Sequence, residues 1–399
     1  MDASSIDPPP DADPAQLTAP APFIPTEMLE MILLAASWEW HFAMSLVCRR
    51  WRDVLAAWRG RAPRGTVREL RTPRSVAAQT LPLAKWARAS GCPWDYNMCS
   101  AAAAEGNLAI LQWLRDSGCS WNERTCSSAA RRGQLAVLQW ARRANQPGGP
   151  CPWNESAYSG AAEKGYMGML HWLRDNKCPW GSGRVTCYFA AKGGHVKVLQ
   201  WARENNCHWD ENTCSTAAEY GHLNVLQWLR ANGCPWDELT CACAARGGHL
   251  ALLQWARENS CPWDERTCAS AAEGGRLEVL QWLRVNNCPW NEATCSDAAR
   301  GGHFKVLEWA RNNGCPWDEK TCACAAMNGN LELLQWARNN GCPWDGLTSL
   351  HAIRSGHLEL LKWAIANGCE WSIWARHEAA KNCQSEMHRW VCANHSLRS

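Results

Sequence analysis

Apolar positions along this chain come in short bursts separated by polar turns, and the bursts repeat. In residues 263–289, WDERTCASAAEGGRLEVLQWLRVNNCP, two bursts follow one another. Cys268, Ala271 and Ala272 have the i, i+3, i+4 spacing of a helix face, and their small side chains permit close packing. Leu277, Leu280, Trp282 and Leu283 predict a second short helix with most of these side chains on one side. Asp264 stands before the first helix as an N-cap residue, Gly274-Gly275 ends it, and Asn286-Asn287 ends the second. The same order recurs at a fixed step. Trp209, Trp236, Trp263, Trp290, Trp317, Trp344 and Trp371 are each 27 residues apart, and Trp201, Trp228, Trp255, Trp282, Trp309, Trp336, Trp363 and Trp390 keep that step. Such a period predicts a stack of identical helix-turn-helix units, each too short to be stable alone.

The equivalents of Asp264 are Asp95, Asn122, Asn154, Asp210, Asp237, Asn291, Asp318 and Asp345, all residues whose side chains accept from a first helical turn. Asn232-Gly233, Asn313-Gly314 and Asn340-Gly341 fit a left-handed C′ position, with proline soon after. The tryptophans are continuous with Leu and Val slots, which predicts core packing. Two joints are irregular: residues 145–150 (NQPGGP) and Gly181-Ser182-Gly183 insert extra chain.

The segment GHLNVLQWLRANGCPWD (221–237) resembles the ankyrin repeat, with Leu223, Val225, Leu226, Trp228 and Leu229 on that family's apolar positions. TSLHAIRSGHLELLKW (348–363) is closest to the family's Thr-Pro-Leu-His-x-Ala start, whereas elsewhere Cys268 takes the Leu slot and Ala269 the His slot. The period is about six residues shorter than the usual ~33. The loss falls where the family has its projecting hairpin. The resemblance implies an all-α fold, an ankyrin-like α-solenoid of helix-turn-helix repeats with reduced hairpins, whose first helices line a concave face. The array is expected over residues 73–371. Residues 372–399 are expected to form a divergent cap, closed by Trp374 and Trp390.

A second module precedes the array. Residues 23–55, FIPTEMLEMILLAASWEWHFAMSLVCRRWRDVL, resemble the F-box, a small three-helix motif. Pro25, Met28, Leu29, Ile32 and Leu33 fit its first helix; Leu46, Val47, Cys48 and Trp51 fit its Val-Cys-Arg-x-Trp half. Trp40 and His41 depart from its usual middle-helix start. The resemblance implies that these residues dock the adaptor protein of a cullin-based, SCF-type ubiquitin ligase, with an unknown target protein held by the repeats. The module is expected at 23–60, after a disordered Pro-rich lead-in (1–22) and before a basic linker (61–72). A non-enzymatic ankyrin scaffold with residues 1–60 as a mere cap is the alternative.

Charge and cysteine content change little. A formal net charge of +3 gives no whole-chain case for nucleic acid or an anionic membrane. No apolar run spans a bilayer, and the N-terminus lacks a secretory pattern, which predicts an intracellular protein of cytoplasm or nucleus, a host's if the chain is viral. Of 24 cysteines, eleven sit in the Cys-Pro-Trp slot and eight in the slot after threonine. Kept in helical register, they are expected to be small buried hydrophobes rather than bridges.

Three chemistries find no support. Cysteines six apart with one histidine per unit do not supply the four close ligands of structural zinc, so no metal or other cofactor is expected. No nucleophile elbow, phosphate loop or His-Glu-x-x-His pattern occurs, so no enzyme is expected. An RNA-binding solenoid is a third alternative, using tryptophans as stacking platforms. Within the fixed frame two slots vary, and they give a candidate target-binding groove: Arg124, Arg266 and Lys320 in one, Arg131, Glu163, Arg246, Glu273, Arg300 and Met327 in the other, with Tyr220 beside them.

Overall fold

The computed structural model describes residues 95–143, 148–381 and 386–395, together with 81, 84, 85 and 88. The chain divides into two compact units, Met1–Cys119 and Ser120–Ser399. The described part of the first contains one helix pair, α1 (Tyr96–Ala104) and α2 (Leu108–Asp116). The second holds α3 (Glu123–Arg131) with α4 (Leu135–Ala141), α5 (Ser156–Lys164) with α6 (Met167–Asp175), and α7 (Arg184–Gly193) with α8 (Val196–Glu204). It continues with α9 (Glu211–Glu219) and α10 (Leu223–Ala231), α11 (Glu238–Gly247) and α12 (Leu250–Glu258), and α13 (Glu265–Glu273) and α14 (Leu277–Val285). The last pairs are α15 (Glu292–Gly301) with α16 (Phe304–Asn312), α17 (Glu319–Met327) with α18 (Leu331–Asn339), α19 (Gly346–Ser355) with α20 (Leu358–Ala366), and α21 (Ala375–Ala380) with α22 (Glu386–His395). No strand occurs among the described residues. The second unit is an all-α solenoid of helix-turn-helix repeats, with an extended Cys-Pro-Trp-Asp link where hairpins were expected to be reduced.

Local chemistry sets each helix end. Asp264 Oδ1 accepts from Arg266 N at 3.1 Å, and Asp237, Asn291, Asp318 and Asp345 cap the following helices in the same way. Asp264→Ala is therefore expected to cost about 1 kcal/mol, read as a lower urea midpoint at unchanged slope. At the end of α13 the Arg276 amide donates to the Ala271 carbonyl (2.9 Å) and Gly275 to Ala272 (3.1 Å). Gly275 has φ +70 there, a conformation that glycine adopts without a Cβ penalty. The second helix closes likewise, with Cys288 N on Leu283 O at 2.9 Å.

First helices pack directly on the first helices of the repeats before and after, whereas second helices contact mainly their own partner. Cys268, Ala271, Ala272, Leu280 and Leu283 are fully buried in the layer between. The recurring histidine stands at the start of the second helix, and its side chain reaches back one repeat. His249 Nε2–H donates to the Glu219 carbonyl (2.9 Å) and His303 to that of Glu273 (3.0 Å). These bonds satisfy carbonyls at the end of the neighbouring first helix, which lack an intrahelical donor.

The tryptophans correct an expectation. Trp201 is buried (7% exposed), but its counterparts from Trp228 to Trp363 are half-buried. They lie on the rim of the second helix and pair edge-to-face with the Trp of the preceding link: Trp263 with Trp282 at 5.9 Å, Trp290 with Trp309 at 6.1 Å. An arginine covers each link Trp from Trp153 to Trp344. The Arg257 guanidinium lies 3.8 Å from the Trp263 ring centre, and Arg311 lies 4.3 Å from Trp317 while donating to the Cys315 carbonyl at 2.9 Å. Val279, Leu280 and Leu283 fill the buried arc of α14, so Trp282 is left at its edge. In the cap, Trp390 packs on Trp371 at 5.8 Å, but Trp374 is 59% exposed and closes nothing. Among the described residues, the cysteines of the two repeat slots are buried as expected, while Cys243 and Cys324 are half-buried and Cys392 is exposed; the one departure in the slots is that Cys187 and Cys207 form a disulfide.

Candidate protein-binding face

The variable slots occupy the two ends of the first helix. Arg124, Arg266 and Lys320 are second helical residues, each with its backbone amide on the capping Asp or Asn, and all are exposed. Arg131, Glu163, Lys192, Glu219, Arg246, Glu273, Arg300 and Met327 lie in the last turn. Seven residues separate the rows, about 10 Å along the axis, so they form two stripes and not one patch.

From Arg131 to Arg300 the last-turn charge alternates in sign at every repeat. The alternation has partners. Glu163 and Lys192 are 3.1 Å apart, Arg246 lies 2.8 Å from Glu219 and 3.8 Å from Glu273, and Arg300 turns back to Asp297 at 2.7 Å. The Lys192 ammonium is held above its ordinary pKa by its hydrogen bond to Glu163. Half-exposed pairs like these contribute about 0–1 kcal/mol each. Variation in this slot thus includes charge matching between neighbouring repeats. In the other stripe Arg266 bonds Asp264 at 2.6 Å, and Lys320 is 3.8 Å from Asp318.

One break in the frame makes a cavity. At Gly181-Ser182-Gly183 the capping Asp is absent, and Gly183 precedes α7 at φ +68. Tyr188 and Phe189 stand in slots that hold Gly, Ala, Ser, Thr, Cys or Asp in the other repeats, apart from Leu350 and His351 in α19. The space between α7 and α9, about 450 Å³, is walled by Val185, Tyr188 and Phe189 on one side and by Asn212, Ser215 and Thr216 on the other. Arg184 pairs with Asp210 at its mouth. Toward the other end Lys192 lies 5.7 Å from the Phe189 ring and 5.5 Å from that of Tyr220, which is 45% exposed. Of the residues chosen from sequence, Glu163 and Tyr220 thus belong around Lys192 near this cavity, while Arg124, Arg266, Lys320 and Met327 do not join it. Tyr188 and Phe189 were missed. Their signal was a pair of aromatics beside a glycine-rich insertion, at positions where most repeats hold small side chains.

No group of three or more His, Cys, Asp or Glu that could hold a metal occurs among the described residues, and no described helix is long and apolar enough to cross a membrane. The adaptor-docking residues Pro25, Met28, Leu29, Ile32, Leu33, Leu46, Val47, Cys48 and Trp51 lie outside the described residues.

No protein-family model matches the chain, and no curated protein matches it. Among solved structures, the human ASB11 ankyrin repeat domain is similar over 39% of this chain and 84% of its own, at 16% identity and a TM-score of 0.32.

Proposed function

We propose that this chain is a non-enzymatic protein-interaction protein that receives a partner on its first-helix face and carries it to a ubiquitin ligase through residues 23–60. The observation that supports partner binding most is the cavity between α7 and α9, where Tyr188 and Phe189 flank an opening in the row of first helices. Aromatic side chains around a concavity, rimmed by the Lys192–Glu163 and Arg184–Asp210 pairs, match the composition of protein interface centres. The ligase role rests on the F-box-like Pro25-to-Trp51 pattern, and its contribution to rate would be proximity.

Calorimetric titration of full-length protein with the purified adaptor tests the second half. Binding is expected, with loss of at least tenfold in affinity for Leu29→Lys or Ile32→Lys at unchanged thermal midpoint. No adaptor binding by the wild-type chain sinks the ligase role, and a large drop in midpoint would make residues 23–60 a structural cap. For the first half, crosslinking to a captured partner is expected to map to Tyr188 and Tyr220 and to weaken in Tyr188→Ala. Crosslinks confined to the second-helix side would move the binding face.

A further inference from the structure

Eight repeats place two cysteines side by side in the same buried layer. Cys268 in α13 and Cys288 just beyond α14 are both fully buried, and the Cys268 thiol donates to the Cys288 carbonyl at 3.9 Å. The same contact recurs for Cys126 with Cys151 at 3.9 Å, and Cys214 with Cys234, Cys241 with Cys261, Cys295 with Cys315 and Cys322 with Cys342 are buried at the same two positions of their repeats. Cys99 and Cys119 are the equivalent buried pair in the first unit. In the repeat that follows the Gly-Ser-Gly joint, the equivalent residues Cys187 and Cys207 are joined, with Cα atoms 6.8 Å apart, inside the span a disulfide bridges. Two repeats provide internal controls. Tyr158 stands opposite Cys178, with its hydroxyl on the Cys178 carbonyl at 3.3 Å, and Ser349 stands opposite Cys369.

We infer that these cysteine pairs are dithiol–disulfide sites, one in each of eight repeats, that close by exchange with a low-molecular-weight disulfide such as oxidised glutathione. The inference is independent of the partner-binding proposal. One bonded pair among eight carries it: Cys187 and Cys207 occupy the same two repeat positions as the other seven pairs, although the link before α7 is irregular.

The chemistry balances within each repeat. One cysteine thiolate attacks a sulfur of the oxidised glutathione, whose S–S bond breaks. The departing glutathione thiolate takes up the proton the cysteine lost. The second cysteine thiolate then attacks the protein sulfur of the mixed disulfide, forms the Cys–Cys bond and expels the second glutathione as a thiol. Two protein thiols are oxidised, and one glutathione disulfide is reduced.

Two physical features set the rate. The paired cysteine, and then burial, push the Cys288 thiol well above its ordinary pKa, and likewise Cys214 and Cys322. Thiolate is therefore scarce near neutrality, and exchange should accelerate as pH rises. Reagent reaches the layer when a helix pair opens locally, an event a solenoid permits repeat by repeat. Each closed bond ties the link after the second helix to the first helix of the same repeat.

The test uses the full chain. Reduced protein is incubated with oxidised glutathione at about pH 8, denatured in acid, alkylated and weighed, then digested and mapped. Alkyl labels are expected to fall from 24 to the eight cysteines outside the pairs, with links 187–207, 214–234, 241–261, 268–288, 295–315 and 322–342 among those found. The thermal midpoint is expected to rise. Retention of all 24 labels, stable glutathione adducts, or links between repeats or between molecules would overturn the inference. Because Cys→Ser variants in a core could simply misfold, a gain variant completes the test. Ser349→Cys, a near-isosteric change at a fully buried position, is expected to bond Cys369 and leave seven labels. Failure of 349–369 to link while the native pairs close would show that the repeat frame does not create the site.

Discussion

Leu280→Ala should lower stability by about 3 kcal/mol. Leu280 is fully buried at the centre of α14, facing Cys268, Ala271 and Ala272 across the layer. Those neighbours are already small, so they have no longer side chain to swing into the space. Removing three carbons forfeits their transfer energy and leaves a cavity that short helices can close only by shifting as units. The consequence differs from that in a globule, because each repeat contacts only its neighbours and stability sums over repeats and interfaces. Loss at α14 should therefore open the array locally. Amide exchange of α13–α16 would accelerate while α5–α8 keeps its protection. A uniform acceleration over the whole array would show that the stack unfolds as one cooperative body.

Trp263→Ala should cost about 2–3 kcal/mol, the sum of three separate losses. Its edge-to-face contact with Trp282 at 5.9 Å contributes about 0.5–1.5 kcal/mol. The Arg257 guanidinium 3.8 Å over the ring adds about 0.5–1 kcal/mol. The remainder is apolar area, since the ring is half-buried. Trp263→Phe keeps part of each and should cost about half as much. Combining Trp263→Ala with Arg257→Ala in a double-mutant cycle should return a coupling of about 0.5–1 kcal/mol. Zero coupling would mean that Arg257 is held by the Cys261 carbonyl alone, to which its Nη1 also donates. These contacts bear on the RNA alternative as well, because a ring with one face under guanidinium and its edge against indole has little surface left for a base.

Much of the repeat could be read from residues close in sequence. A capping carboxylate acts within three residues, and a left-handed glycine or asparagine stops a helix where it stands. Asp264, Gly275 and the Asn286-Asn287 end were therefore identifiable before any packing was known. The candidate binding residues were legible only as variable slots. That Glu163, Lys192, Glu219 and Arg246 answer one another's charge depends on side chains from adjacent repeats meeting, and no local pattern states it. Tyr188 and Phe189 could have been noticed as misfits in their slots, but their cavity required the distance between α7 and α9.

The sequence by itself determined the period, the two-helix unit, the places where each helix begins and ends, and the residues of the buried layer, because capping, helix breaking and apolar spacing operate within a turn or two. Only the tertiary structure decided how much of each tryptophan is covered, which charges pair, which cysteines touch, and where the row of first helices parts. Those outcomes depend on lateral spacing between residues some 20 to 30 positions apart in sequence, and packing alone sets that spacing.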